Sequence, residues 1–75
     1  MKSPMNTKHG YPVIFAIDEK RFPAESEYIV AHRGNDQFQP FAVWNRSKET
    51  GNTYFGRYFE SLRDAEQDAT KRSGN

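Results

Sequence analysis

His9 and His32 are the only histidines in a chain of 75 residues that has no cysteine. A protein zinc site needs three or four His, Cys or carboxylate ligands at close spacing, and that spacing is missing. A lone imidazole near a strand end, the place expected for His32, is a surface or packing residue far more often than a catalyst. Asp64 and Asp68 are four apart and share one side of a helix. They imitate a carboxylate pair, but on a solvated face such a pair does no more than carry charge. Gly51 and Gly56 do not build a phosphate-binding Gly-rich loop. No metal, cofactor or catalytic residue is expected, and a chain this small has little room for a deep substrate pocket.

Rings and cations are the stronger signal. Aromatics are 15% of the chain although hydrophobic residues are only 35%. Trp44, Arg46, Phe55 and Arg57 lie in two neighbouring strand-like segments, with Arg33 and Lys48 in the adjoining turns. Trp, Tyr and Arg dominate protein–protein hot spots. The same residue types stack on bases and contact phosphates. Three function classes therefore stand open: a module that binds a host protein, one that binds nucleic acid, and a structural or regulatory accessory with no strong surface signal. The net charge of +1 favours the first, because a few basic residues give only weak, salt-sensitive nucleic-acid binding. Against the first two, Trp44 and Phe55 could be core residues covered by the Val13–Ile17 segment, since so small a domain needs every ring it has.

The elements that position these residues follow from local pattern. Pro12–Ile17 is a short apolar, β-branched run and predicts a strand. Pro23–Arg33 admits two readings. Pro23, Glu25 and Gly34 suit a helix start and stop, whereas Tyr28-Ile29-Val30 followed by Arg33-Gly34-Asn35-Asp36 suits a strand running into a hairpin turn. The strand, over Glu27–Arg33, is favoured. Phe38–Arg46 is the next strand, with Pro40 near its start marking an edge or a bulge. Ser47–Asn52 is a polar loop. Thr53–Phe59 is the last strand. Ser61-Leu62-Arg63-Asp64 then fits a capping box opening a helix over Leu62–Arg72. Its apolar stripe of Leu62, Ala65 and Ala69 is narrow and small, so the helix must sit close on the sheet. The expected fold is α+β: an antiparallel meander of three to four strands with one C-terminal helix on one face.

Alternation then assigns the faces. Phe41 and Val43 are expected toward the helix and Trp44 and Arg46 away from it. In the last strand, burying Arg57 under an apolar stripe would be expensive. Gly56 is therefore expected beneath the helix, and Phe55 and Arg57 on the open face, with Phe59 turning in at the strand end. A parity error of one residue would exchange these positions. Charge supports a two-sided molecule. Glu60, Asp64, Glu66 and Asp68 gather on the helix and Arg33, Arg46, Lys48 and Arg57 on the strands and loops.

Residues 1–10 are polar and aperiodic and are expected to form a loosely held arm. Residues 11–72 form a single domain, and 73–75 a frayed tail. No apolar run approaches the ~20 residues of a membrane span, and the run near Val13 lacks the flanks of a signal peptide. A cytoplasmic protein without a membrane partner is the expectation. The oligomeric state is open at this level.

The segment Thr53–Ala69 resembles a tail found in small proteins of phages and other mobile elements. In that tail an aromatic-Gly-x-aromatic-Phe strand runs into a helix with a Ser-Leu-x-x-Ala start. Here these are Tyr54-Phe55-Gly56-Arg57-Tyr58-Phe59 and Ser61-Leu62-Arg63-Asp64-Ala65. The resemblance implies a small phage or mobile-element protein that binds, and in some cases inhibits, a host protein such as a defence nuclease. The same segment is similar to the end of the three-strand-plus-helix fold of plant ethylene-response-factor domains and integrase arm-binding domains. It has one extra residue between Gly56 and Phe59, and the chain lacks their Arg-rich first strand. That second likeness implies the sheet-plus-helix architecture.

Overall fold

The computed structural model describes residues 6–7, 10–34 and 38–74. Its elements run β1 (Val13–Asp18), β2 (Ser26–His32), β3 (Phe41–Ser47), β4 (Thr53–Phe59) and α1 (Leu62–Ser73). The strands form one antiparallel sheet in the order β1-β2-β3-β4, with α1 packed on one face. This is the expected α+β meander. The ambiguous segment is a strand, because Val30 is needed at the centre of the core and sits there fully buried. Local preference alone could not decide that. Pro40 stands just before β3 and its carbonyl accepts from Arg33 N at 2.7 Å. The expected turn residues Asn35 and Asp36 lie outside the described residues.

The helix begins as its residues dictate. Ser61 is extended (φ −112°) and its hydroxyl oxygen accepts from Asp64 N, satisfying one of the orphan donors of the first turn. Gly74 ends it in the left-handed region (φ 87°), its N–H directed to Lys71 O and Thr70 O. Only glycine takes that conformation without cost. Ser73, expected in a frayed tail, is the last helical residue and fully buried. Its Oγ donates to Thr70 O at 2.6 Å and its carbonyl accepts from Lys20 N at 2.8 Å.

The helix lies mainly over β2 and β3. Val30, Val43, Ala65 and Ala69 form the buried cluster, ringed by Phe15, Ile17, Tyr28, Phe41 and Phe59. Alanine at 65 and 69 lets the helix approach the sheet closely, and the partly buried rings of Phe15, Tyr28, Phe41 and Phe59 pack around the contact.

The second face is not bare. By register it carries Ala16, Glu27, Ile29, Ala31, Ala42, Trp44 and Arg46. Ile29, Ala31 and Ala42 have no exposed surface. Of the ten residues expected to form a loose arm, Asn6, Thr7 and Gly10 are described. Thr7 is buried, its N–H donating to Tyr11 O and its hydroxyl accepting from Tyr11 N. Tyr11 stacks parallel to Trp44 with centroids 6.3 Å apart, and Pro12 O accepts from His32 N. This N-terminal segment, not the Val13–Ile17 run, covers Trp44.

Candidate functional site

Trp44, Arg46, Phe55 and Arg57 were expected to share an open sheet face, with Arg33 and Lys48 in the adjoining turns. The structure separates them. Trp44 and Arg46 do lie opposite Phe41 and Val43, as alternation requires, but that face is closed. Trp44 is half-buried between Tyr11 and an edge-on Tyr58. Arg46 is only 1% exposed and Glu27 only 2%. The Arg46 Nε and Nη2 atoms meet Glu27 Oε2 at 2.9 and 2.8 Å, and Nη1 donates to Asn6 O at 3.4 Å. Glu27 and Arg46 are cross-strand neighbours, so the pair is assembled by register. A cation so placed is structural and has no surface to offer a ligand. Lys48 is likewise engaged, its Nζ on Asp18 Oδ1 at 2.7 Å and donating to Pro23 O at 2.6 Å.

In β4 the expected parity is reversed at the point that matters. Gly56 lies under Trp44, not under the helix. A Cβ there would stand 2.5 Å from Trp44 Nε1, so the missing side chain admits the indole. Arg57 pairs across from Val43 and reaches the helix, where Nη1 meets Asp68 Oδ1 at 3.3 Å. The reason lies in the helix position. Because α1 covers β2 and β3 and only the margin of β4, Arg57 on the helix side is still 66% exposed. It escapes the burial cost that argued against this placement.

A β-bulge produces the second surprise. Val43 pairs with Arg57 but Asn45 pairs with Tyr54, so Phe55 and Gly56 together oppose Trp44. Phe55 is the one described non-glycine residue at positive φ (57°). That region is unfavourable for a bulky side chain, yet Gly56 beside it is spent on Trp44. The conformation is held from the helix. Arg72 Nη2 donates to Phe55 O at 2.6 Å, Nη1 meets Asp68 Oδ2 at 3.4 Å, and the guanidinium lies 5.1 Å from the Tyr28 ring centre. The result is a Phe ring that is 77% exposed. The Tyr54 ring lies beside it, with centroids 6.4 Å apart; Tyr54, Tyr58 on the Trp44 side of the strand, and Leu62 at the start of the helix are also exposed. Arg33 sits 4.5 Å over the Tyr58 ring and donates to Gln39 O.

Of the six, the structure leaves Phe55 and Arg57 exposed on β4, with Arg57 on the helix side beside Asp68, and it sets Arg33 on the other side of the sheet against Tyr58. It removes Trp44, Arg46 and Lys48. Sequence reasoning missed Tyr54 and Tyr58 because strict alternation placed both under the helix: Tyr54 does lie on the helix side, opposite Asn45, but beyond the reach of α1, whereas Tyr58, opposite Ala42, lies on the other side. The bulge breaks alternation, and its only sequence trace is the ring-ring-Gly triplet in an edge strand.

An open cleft of about 800 Å³ runs along α1, lined by Phe15, Phe59, Arg63, Glu66 and Thr70 among others. Among the described residues, no three His, Cys, Asp or Glu side chains gather closely enough to hold a metal ion, and no helix is long and apolar enough to cross a membrane. No protein-family model, curated protein or solved structure matches this chain.

Proposed function

We propose that this protein is a small non-enzymatic module that binds another protein through the β4 ribbon, with Phe55 as the anchor, Tyr54 beside it, and Arg57 and Tyr58 exposed on the two sides of the strand that follows. One observation carries the reading: a phenylalanine is held in left-handed backbone conformation with its ring in water. Neither feature helps the isolated domain. The strain and the exposure are both unfavourable, and both become useful when the ring enters a partner's pocket. Strained residues concentrate where a structure is committed to recognition, and aromatic and arginine side chains are the usual anchors of an interface. The likeness of residues 53–69 to phage and mobile-element proteins makes a bacterial host protein, such as a defence nuclease, the partner class, with modulation or inhibition as the outcome.

The nucleic-acid alternative draws less support. It relied on Trp44 as a stacking platform and Arg46 as a phosphate contact, but Tyr11 already stacks on the Trp44 ring and Arg46 is buried against Glu27.

The test uses the tagged full chain and its Phe55→Gly variant side by side on a bacterial lysate. Glycine accepts the φ of 57° without strain, so the variant should keep its fold within about 1 kcal/mol. A protein retained by the parent chain should be lost from the variant. Titration calorimetry with that purified protein should show affinity falling at least about tenfold, or about 1.4 kcal/mol. Equal retention by Phe55→Gly and by Arg57→Ala would sink the assignment. Salt-sensitive amide shifts at Arg33 and Arg57 on adding a DNA duplex would favour nucleic acid instead.

A further inference from the structure

The two edges of the sheet are finished differently. In β4 the bulge interrupts the ladder, Arg57 places charge on the strand, and the Phe55 carbonyl is already occupied by Arg72. Such devices discourage strand addition. In β1 the irregularity falls at its start, between Val13 and Phe15, and Phe15–Asp18 pairs regularly with β2. Val13–Ile17 carries no charge, and Ile14 and Ala16 are exposed. Pro12 and Asp18 guard only its ends.

Register also fixes where the backbone groups point. Glu19 N donates to Ser26 O at 3.1 Å, and the pairs Asp18↔Glu27, Ile17↔Tyr28, Ala16↔Ile29 and Phe15↔Val30 continue the same ladder. Hydrogen-bonded and non-hydrogen-bonded pairs alternate in an antiparallel ladder. Ile17 and Phe15 therefore turn their N–H and C=O toward β2, while Ala16 turns its own outward, to the edge where no further strand pairs among the described residues.

We propose that this edge pairs with β1 of a second copy, antiparallel and two-fold symmetric about Ala16. The two four-stranded sheets then join into one. Each Ala16 N–H donates to the other Ala16 carbonyl, a reciprocal bond pair that only an outward-facing residue on the axis can make. Phe15 of each copy falls opposite Ile17 of the other, on the helix-bearing face. Aromatic against β-branched is among the favourable cross-strand pairs. Phe15 already lines the cleft beside α1, and Ile17 of the second copy extends that apolar lining. Self-pairing, rather than a foreign strand, follows from the absence of charge along Val13–Ile17 and from the match of Phe15 with Ile17 across Ala16. The segment has no ionic code for a different partner, its side chains match themselves across one residue, and a net charge of +1 per chain leaves little repulsion between copies. The contact lies on the opposite edge from Phe55, so it stands or falls independently of the proposed partner site.

Sedimentation equilibrium of the full chain from about 1 µM to about 1 mM tests this. The mass should rise from 8.7 kDa toward twice that value. Ala16→Lys puts two like charges on the axis and should hold the chain at the monomer mass with an unchanged circular-dichroism spectrum. Phe55→Gly should dimerise like the parent. In a mixed sample of isotope-labelled and unlabelled parent chain, intermolecular NMR contacts should join Phe15 to Ile17, a readout that needs no variant. A monomer throughout the range overturns the proposal. So does a dimer that survives Ala16→Lys, or one that is lost with Phe55→Gly.

Discussion

On one face of the sheet, Val30 and Val43 meet Ala65 and Ala69 of a twelve-residue helix, and the ring of aromatics around them completes a dry contact. On the other, Ile29, Ala31 and Ala42 share their layer with the Glu27–Arg46 pair, and a short N-terminal segment brings Thr7, Tyr11 and the Asn6 carbonyl against it. Apolar burial on the first face is favourable in itself, at roughly 25 cal/mol per Å². The second face must first offset the desolvation of two charges, and an ion pair in that position need not add net stability. The two faces of one sheet thus rest on different physics. The helix face tolerates a change of shape better than a lost partner elsewhere, and the opposite face depends on every member of its polar set being present.

The strongest way to break this contrast is to orphan one charge. Arg46→Ala leaves Glu27 buried without its cation and should cost about 3–5 kcal/mol, enough to unfold much of so small a domain, as urea denaturation would report. Replacing both partners by apolar residues of similar size should recover most of that loss. If Arg46→Ala proves mild, the pair is solvated and the contrast between the faces disappears.

Next in size is Gly56→Ala. The added methyl meets the Trp44 indole and should cost about 1–3 kcal/mol by overpacking, with a red-shifted Trp44 emission as the ring is pushed toward water. A neutral result would show that the indole does not rest on Gly56.

Tyr11→Ala asks whether the N-terminal segment contributes to the second face. Loss of the ring stacked on Trp44 should cost about 1 kcal/mol and increase quenching of Trp44 by added iodide. The change should not add to that of Gly56→Ala, because both act on the same indole. Full additivity would place the two residues on separate structures.

The smallest effect is the sharpest comparison. Arg57→Ala removes a cation of the same kind as Arg46, also ion-paired, but two-thirds exposed. Its effect on the melting midpoint should correspond to less than about 0.5 kcal/mol. Two arginines that look equivalent in the sequence would then differ roughly tenfold in their effect on stability.

That last pair shows where sequence reasoning ran out. The order of the elements was legible, and so was the type of each except β2, because they rest on local chemistry: β-branched runs, a proline before β3, a Ser cap and a Gly stop. The parity of β3 was legible too, since Phe41 and Val43 had to face the alanine stripe. β4 was misread because alternation assumes an unbroken ladder and a helix lying over every strand. The bulge at Phe55 and Gly56 violates the first assumption and the position of α1 over β2 and β3 the second. Neither is a property of the residues concerned. Likewise nothing local distinguishes Arg46 from Arg57. One has Glu27 beside it across the strand and a segment folded over it, and the other stands at an edge. Local free energies along the chain determined every element but β2, which the core decided through Val30. Long-range register, and which surface each element finally covers, decided which rings and cations remain in water, and these belong to the tertiary structure alone.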